Sequence, residues 1–150
     1  MKIIVSACLL GVYSRYNGQC VPKERILSLL AEHDIIPVCP EQLGGLPTPR
    51  DPDEIKDGKV VDLRGTDNSE YFQRGAEEVL KIARLFNAEY AILKERSPSC
   101  GSSLIYDGTF SGNIIPGEGV TSALLRKNRI IVFSEENIDA EKLRKMRKIN

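Results

Sequence analysis

The chain has 150 residues, a length at which one domain with one hydrophobic core is commonest. Hydrophobic residues make up 41% of it, which is enough to fill such a core without a metal or disulfide crosslink. Its 21 Lys and Arg residues equal its 21 Asp and Glu residues, so the basic excess that binds nucleic acid or anionic membranes is missing. We therefore expect a small-molecule partner, with no nucleic acid and no membrane.

The first half of the chain predicts two strands with a helix between them. Lys2–Val5 is the first predicted strand. A helix is predicted from Pro22 to about His33, with Leu30 in its apolar stripe, and Ile35–Val38 is the second strand. The segment 39–52 has too many Pro and Gly residues for regular structure, so it is predicted as a long loop.

The second half continues the alternation of strands and helices. Val60–Val61 is predicted as a short edge strand of the same sheet. A cluster of N-cap residues then opens the strongest helix, which presents an apolar face from Phe72 to Phe86 and ends at Asn87. The remaining predicted elements are a strand at Tyr90–Lys94, a helix at about Thr121–Lys127 and a strand at Ile130–Phe133.

This order of elements is typical of an α/β protein. We expect a single-domain, Rossmann-like fold, in which a mostly parallel sheet is flanked by helices over residues 1–136. Residues 137–150 are expected to form a charged C-terminal tail or a short helix.

The four cysteines are expected to remain unpaired by disulfides. No apolar run approaches the roughly 18 residues that cross a bilayer, and the first apolar stretch is too short for a signal peptide, so we expect a cytoplasmic protein. In a reducing compartment cysteines persist as metal ligands, nucleophiles or buried small side chains. None of the four lies in a Cys-x-x-Cys pair, so a shared metal site has to be assembled by the fold.

Three of the cysteines follow predicted strand ends. Cys8 comes just after the first strand, Cys39 ends the second, and Cys100 lies in the loop that leaves the third, whereas Cys20 lies elsewhere. Loops beyond the carboxyl ends of parallel strands converge, so we expect these three thiols at one edge of the sheet. Three thiolates suit Zn²⁺ with an open fourth position, or an iron–sulfur cluster with one iron not held by the protein. Spacing alone does not separate these cofactors, and glycine-rich turns nearby favour the bulkier cluster.

Five blocks of the chain resemble the thiouracil desulfidase family, over about residues 2–136. The blocks are Val5-Ser-Ala-Cys-Leu-Leu-Gly11, Arg15-Tyr-Asn-Gly18, Val38-Cys-Pro-Glu-Gln-Leu-Gly-Gly-Leu-Pro-Thr-Pro-Arg50, Lys94-Glu-Arg-Ser-Pro-Ser-Cys-Gly101 and Tyr106-Asp-Gly-Thr-Phe-Ser-Gly112. One departure is the segment 12–14, which reads Val-Tyr-Ser where family members often carry Pro-Cys. That cysteine is not a cluster ligand in the family pattern.

The resemblance implies a [4Fe–4S] cluster held by Cys8, Cys39 and Cys100, with a fourth iron free to bind the sulfur of the substrate. It implies an enzyme that hydrolyses the C–S bond of a thiolated pyrimidine such as 2-thiouracil, or of a related thioamide, and releases hydrosulfide without redox change. An iron with an open position predicts oxygen-sensitive activity. Cys20 is a further thiol that the motifs do not require.

Two kinds of side chain are candidates for catalysis. Glu41 follows Cys39 by two residues, so in an extended segment it would face the same side and serve as acid or base; the alternative is a solvated loop carboxylate. The resemblance makes Ser97 the catalytic serine, and Ser99 a donor to the substrate or to cluster sulfur. Turn formation around Pro98 is the alternative role of both serines.

Basic residues in the same loops complete the candidate site. Arg15, Arg50 and Lys94 could each orient an anionic ring or a carbonyl oxygen, although surface salt bridges are the expected role of each. Arg50, with Ser99, is a candidate for substrate binding. Two rival functions use the same three cysteines: a zinc-binding or zinc-hydrolytic domain and a thiol redox sensor. A thiolated-RNA enzyme is disfavoured by the zero net charge.

Overall fold

The computed structural model describes residues 1–139 and 141–144. Its strands are β1 (Lys2–Ser6), β2 (Asp34–Val38), β3 (Asp53–Lys56), β4 (Lys59–Asp62), β5 (Tyr90–Leu93), β6 (Leu104–Tyr106), β7 (Ile114–Pro116) and β8 (Ile131–Ser134). Its helices are α1 (Glu24–Leu27), α2 (Pro40–Leu43), α3 (Ser69–Phe86) and α4 (Val120–Lys127), with 3₁₀ turns at Ala7–Leu10 and Ser28–Ala31. None of the helices in these ranges is long and apolar enough to span a membrane.

Four parallel strands form the central sheet in the order β2-β1-β5-β8. This confirms the mixed α/β fold with a mostly parallel sheet. The chain passes from β1 to β2 on one side and later adds β5 on the other side, so the strand order reverses between β1 and β5. In open sheets of this kind, ligands bind beyond the carboxyl ends of the strands at such a switch point.

Both faces of the central sheet are buried, which explains why its strands are almost wholly apolar. One face packs against α3 and α4, with Ile4 of β1 and Val79 of α3 in one buried cluster. The other packs against α1 and the C-terminal segment, where Ile3, Ile138 and Leu143 are buried together. Residues 141–144 are helical, and the rest of the predicted tail, residues 140 and 145–150, lies outside the described residues.

The first helix is shorter than the sequence pattern predicts. Pro22 lies outside it, and the 3₁₀ turn at Ser28–Ala31 replaces its second half. The amide of Lys23 donates to the carbonyl of Leu9 at 3.1 Å, which ties the preceding residues to the turn after β1. A 3₁₀ turn has three residues per turn, so it rotates Leu30 out of the predicted apolar stripe, and Leu30 is 54% exposed.

The prediction for α3 is confirmed in its extent but not in all of its buried face. The helix ends at Asn87, whose φ of 54° is left-handed. Phe86, predicted on the apolar face, is 48% exposed. It lies in the last turn, immediately before the left-handed residue, while Leu80 joins the buried face.

Two antiparallel hairpins, β3–β4 and β6–β7, lie outside the central sheet. The prediction that Val60–Val61 is an edge strand of the main sheet is therefore wrong, since both residues pair with β3. Asp57 and Gly58 connect the two strands with φ of 51° and 76°. Positive φ at both central positions is the geometry that an Asp-Gly turn of type I′ provides.

The predicted loop over 39–52 begins with a helix, α2. Pro40 occupies the first helical position, where its missing N–H costs nothing and its fixed φ suits the helix. Two reciprocal glycine contacts hold this helix against α3. A Cβ on Gly44 would lie 2.0 Å from the carbonyl oxygen of Tyr71, and a Cβ on Gly75 would lie 1.9 Å from that of Pro40. The two backbones can approach this closely only because neither glycine has a side chain.

Candidate active site

A cavity of about 560 Å³ lies at the carboxyl ends of β1, β2 and β5, at the switch point of the sheet. Its lining includes Cys8 in the turn after β1, Cys39 at the N-cap of α2 and Cys100 in the loop after β5. The structure thus brings the three predicted thiols together. Cys20 is not among the lining residues, so the fourth thiol stands apart.

Hydrogen-bond donors point at two of these sulfurs. Ser6 Oγ donates to Cys100 Sγ at 3.3 Å, and Ser99 Oγ lies 3.6 Å from the same sulfur. Arg50 Nη2 lies 3.9 Å from Cys39 Sγ. Donors of this kind stabilise the thiolates that hold an iron–sulfur cluster and tune its potential. The donor set therefore fits such a cluster.

The buried thiols are poorly suited to redox sensing. Burial raises the pKa of Cys8 to about 11 and that of Cys100 to about 12, and it also raises the pKa of Cys39. Sensor cysteines need a lowered pKa and an accessible thiolate. Metal binding would replace the protons that these thiols otherwise keep at neutral pH. Within 1–139 and 141–144, no three His, Cys, Asp or Glu side chains are arranged to hold a single metal ion.

Glu41 lies in the first turn of α2, not in the extended segment that its spacing from Cys39 suggested. Its Oε1 accepts a hydrogen bond from Arg50 Nε at 2.9 Å, and its Oε2 accepts one from Ser99 Oγ at 2.9 Å. The side chain is 14% exposed. The alternative of a solvated loop carboxylate does not describe this residue.

The two serines extend the row of hydrogen bonds. Ser97 Oγ lies 2.9 Å from Ser99 Oγ, so hydroxyls and carboxylate form a continuous chain from Ser97 through Ser99 to Glu41. Ser97 Oγ also accepts the amides of Ser99 and Cys100, at 3.2 and 3.0 Å, and so closes the turn around Pro98 as the alternative role predicted. Ser99, rather than Ser97, makes the direct contact with Glu41.

The helix α4 fixes the loop that carries these serines. The amides of Val120 and Thr121 donate to the carbonyls of Pro98 and Ser99, at 2.9 and 2.8 Å. A Cβ on Gly119 would lie 2.5 Å from the Ser99 carbonyl, so this approach needs glycine. The loop is therefore anchored on a helix end.

Arg50 and Lys94 do not form the surface salt bridges expected of them. Both line the cavity, and their side chains are 5% and 19% exposed. Arg50 pairs with Glu41, while Lys94 Nζ lies 3.3 Å from an oxygen of the buried Glu135. Both cations are balanced inside the protein, because a buried charge without a partner is strongly destabilising.

Glu95, which was not among the predicted site residues, organises the loop after the Cys100 turn. Its carboxylate accepts the amides of Ser102, Ser103 and Leu104 at 2.7 to 3.0 Å, and both serine hydroxyls at 3.0 Å. Burial raises the pKa of Glu95, but the donors outweigh burial and lower it to about 2. A carboxyl directly after a buried strand and before a serine-rich loop was the signal in the sequence.

Glu95→Gln is expected to lower the free energy of unfolding at pH 7 by about 3 kcal/mol. The folded pKa lies below the ordinary value, so the stabilisation is present above the ordinary pKa and is lost as the pH falls toward 2. Urea unfolding at pH 7 and pH 3 measures the difference, which should shrink by about half at the lower pH. Glu136→Gln is the control, since that carboxylate is 40% exposed, and a difference that is equal at both pH values contradicts the prediction.

Comparisons with known proteins identify the family of this chain. The model of the 2-thiouracil desulfurase family matches residues 3–137. The uncharacterized protein YbbK of Bacillus subtilis (strain 168) is 45% identical over 147 residues, which cover 91% of this chain and 97% of that protein. The solved structure of TudS, a [4Fe-4S]-dependent thiouracil desulfidase, is 45% identical and superposes with a TM-score of 0.91 over 99% of both chains. On this match in sequence and fold, the chain belongs to the 2-thiouracil desulfurase family.

Proposed function

We propose that the protein is a [4Fe–4S]-dependent enzyme that removes sulfur from a thiolated pyrimidine such as 2-thiouracil, without redox change, and releases hydrosulfide. One observation carries the proposal: in a chain of this family, Cys8, Cys39 and Cys100 line the same cavity as the hydrogen-bonded pair of Glu41 and Ser99. A cluster held by the three thiolates would supply a Lewis acid and sulfur acceptor at the iron that lacks a protein ligand.

The protein's own groups handle the water and its protons. Glu41 Oε2 accepts a proton through Ser99 Oγ when water attacks the thiocarbonyl carbon. Ser97 Oγ, which accepts two backbone amides, donates to Ser99 Oγ and holds that hydroxyl in position. Arg50 holds the carboxylate in place through Oε1. The reaction consumes one water, breaks the C–S bond, forms a C–O bond and yields an oxo-pyrimidine and hydrosulfide, so no electron donor is needed.

The substrate is a small molecule in this proposal. A cavity of about 560 Å³ suits a single nucleobase or a related thioamide, and the zero net charge offers no general basic surface for nucleic acid. Reduced thiols at the cavity fit a cytoplasmic location. Because the proposed site leaves one iron open, we expect oxygen exposure to remove activity.

The test is anaerobic isolation followed by two assays on one sample. Iron and acid-labile sulfide should each approach about four per chain, and the loaded protein should release hydrosulfide from 2-thiouracil. Zinc alone in place of iron contradicts the cofactor. Full iron content without hydrosulfide from any thioamide contradicts the reaction.

The two serines should differ in importance. Ser99→Ala removes the group between Glu41 and Ser97, so turnover should fall by about tenfold or more at unchanged iron content. Ser97→Ala should lower turnover less, because the contact of Ser99 with Glu41 remains. Hydrosulfide release per bound iron measures both variants, and a larger loss for Ser97→Ala would reverse these roles.

A further inference from the structure

The cavity has four basic side chains, and three of them already have protein partners. One of the three is Arg96, which pairs with a glutamate carboxylate. Arg50 Nε donates to Glu41 Oε1, and its Nη2 donates to a backbone carbonyl at 2.8 Å. Lys94 Nζ donates to a backbone carbonyl at 2.8 Å and pairs with Glu135. The fourth basic side chain, Arg15, differs from these three.

Arg15 is half-buried at the cavity wall, and its guanidinium forms no ion pair or hydrogen bond with any residue that the structure describes. Its Cζ lies 5.7 Å from the ring centroid of Tyr16, within cation–π range. The backbone is fixed, since Arg15 N–H donates to the carbonyl of Gln19 at 3.1 Å and Gly18 N–H donates to the carbonyl of Arg15 at 2.8 Å. The backbone that carries the guanidinium is therefore fixed at the cavity wall, and no described residue accepts a hydrogen bond from the guanidinium.

A guanidinium offers five N–H donors, so an unfilled one at a cavity wall favours a ligand that brings an acceptor. A thiolated uracil carries, in addition to its sulfur, an exocyclic carbonyl oxygen, which is called the ring oxygen below. We infer that Arg15 recognises this ring oxygen and makes the site selective for oxo-substituted thiopyrimidines over rings that lack the oxygen. The inference rests on the proposed function and narrows its substrate class.

The chemistry of the ring predicts which kinetic constant changes when the hydrogen bond from Arg15 is lost. Attack at the thiocarbonyl carbon moves negative charge to the sulfur, and the ring oxygen takes little of it. A hydrogen bond from Arg15 to the ring oxygen is then equally strong in the ground and transition states. Its loss raises KM and leaves kcat nearly unchanged.

The decisive experiment compares two non-reacting rings, one of which lacks this oxygen together with the N3–H beside it. Calorimetry on the cluster-loaded protein measures Kd for uracil and for pyrimidin-2-one. Arg15→Ala should weaken uracil binding by about tenfold to hundredfold, the range for losing a hydrogen bond to a charged group. Binding of pyrimidin-2-one should change by less than about threefold, because that ring lacks the oxygen that Arg15 recognises. Arg15→Lys, which keeps the charge but not the planar fork, should fall between the parent and Arg15→Ala.

Iron content is measured on every sample, and Arg64→Ala is the matched control, since Arg64 is 78% exposed and outside the cavity lining. Equal weakening of both rings, unchanged uracil binding, or loss of iron in Arg15→Ala would each overturn the inference. A parent that binds uracil more tightly than pyrimidin-2-one but releases no hydrosulfide would contradict the proposed reaction while leaving the role of Arg15 in place.

Discussion

Serine in place of Cys8, Cys39 or Cys100 is expected to remove most of the bound iron, whereas Cys20→Ser should keep iron at the level of the parent. The first three thiols line the cavity, and the last does not. A hydroxyl is a poor ligand for iron in a sulfide cluster, which is held by thiolates. Iron, acid-labile sulfide and visible absorption after anaerobic reconstitution provide the measurement.

The same cysteine variants show whether folding depends on the cofactor. A core of this size does not need the cluster in order to fold, so circular dichroism and cooperative melting should persist when iron is lost. Loss of cooperative melting together with iron would make the cluster structural. Loss of iron from Cys20→Ser, with full retention in one of the other three variants, would overturn the ligand assignment.

Glu41→Gln should lower hydrosulfide release from 2-thiouracil by about 100-fold or more, the range for removing a positioned acid or base. Glutamine has nearly the same shape, so the contacts with Arg50 and Ser99 can be kept in part, but the amide does not take up a proton at neutral pH. Iron content and KM should stay close to those of the parent. The effect should therefore lie in kcat.

Glu118→Gln is the matched control, because that carboxylate is 43% exposed and pairs with Arg126 away from the cavity lining. Turnover of Glu41→Gln within about threefold of the parent, at full iron content, would remove Glu41 from the reaction. A variant that loses iron as well as activity would show instead that the carboxylate supports the cluster.

Much of the central sheet could be predicted because its strands are short apolar runs. Burial on both faces produces such runs in the central strands β1 and β5, and the edge strands β2 and β8 are partly buried apolar runs. The cysteines that follow β1, β2 and β5 line one cavity, as the strand ends predicted. The hairpin β3–β4 was missed because its strands are half charged, although Asp57–Gly58 is a strong turn signal. Helix α2 is only four residues long, among prolines and glycines that favour a loop.

The position of the site at the carboxyl ends of the strands could be predicted, but the hydrogen bonds between its side chains could not. Ser99 meets Glu41 across 58 positions of sequence, and Ser6 meets Cys100 across 94. No local pattern encodes such pairs, because they depend on how the loops fold back over the sheet. Burial of Arg50 and Lys94 follows from the same long-range packing, which is why each was predicted at the surface.

Through the glycine contacts between α2 and α3, the position of α3 determines the position of the site residues on α2. Cys39 and Glu41 belong to the short segment that rests on α3, and Gly75 is the point of contact on α3. A methyl group at position 75 would lie 1.9 Å from the carbonyl oxygen of Pro40, so this segment would have to move outward. That movement would displace the proposed cluster ligand Cys39 and the proposed catalytic carboxylate of Glu41 together. The distances from Cys39 and Glu41 to Cys100 and Ser99 are thus set from behind, by Gly75, which is not among the residues that line the cavity.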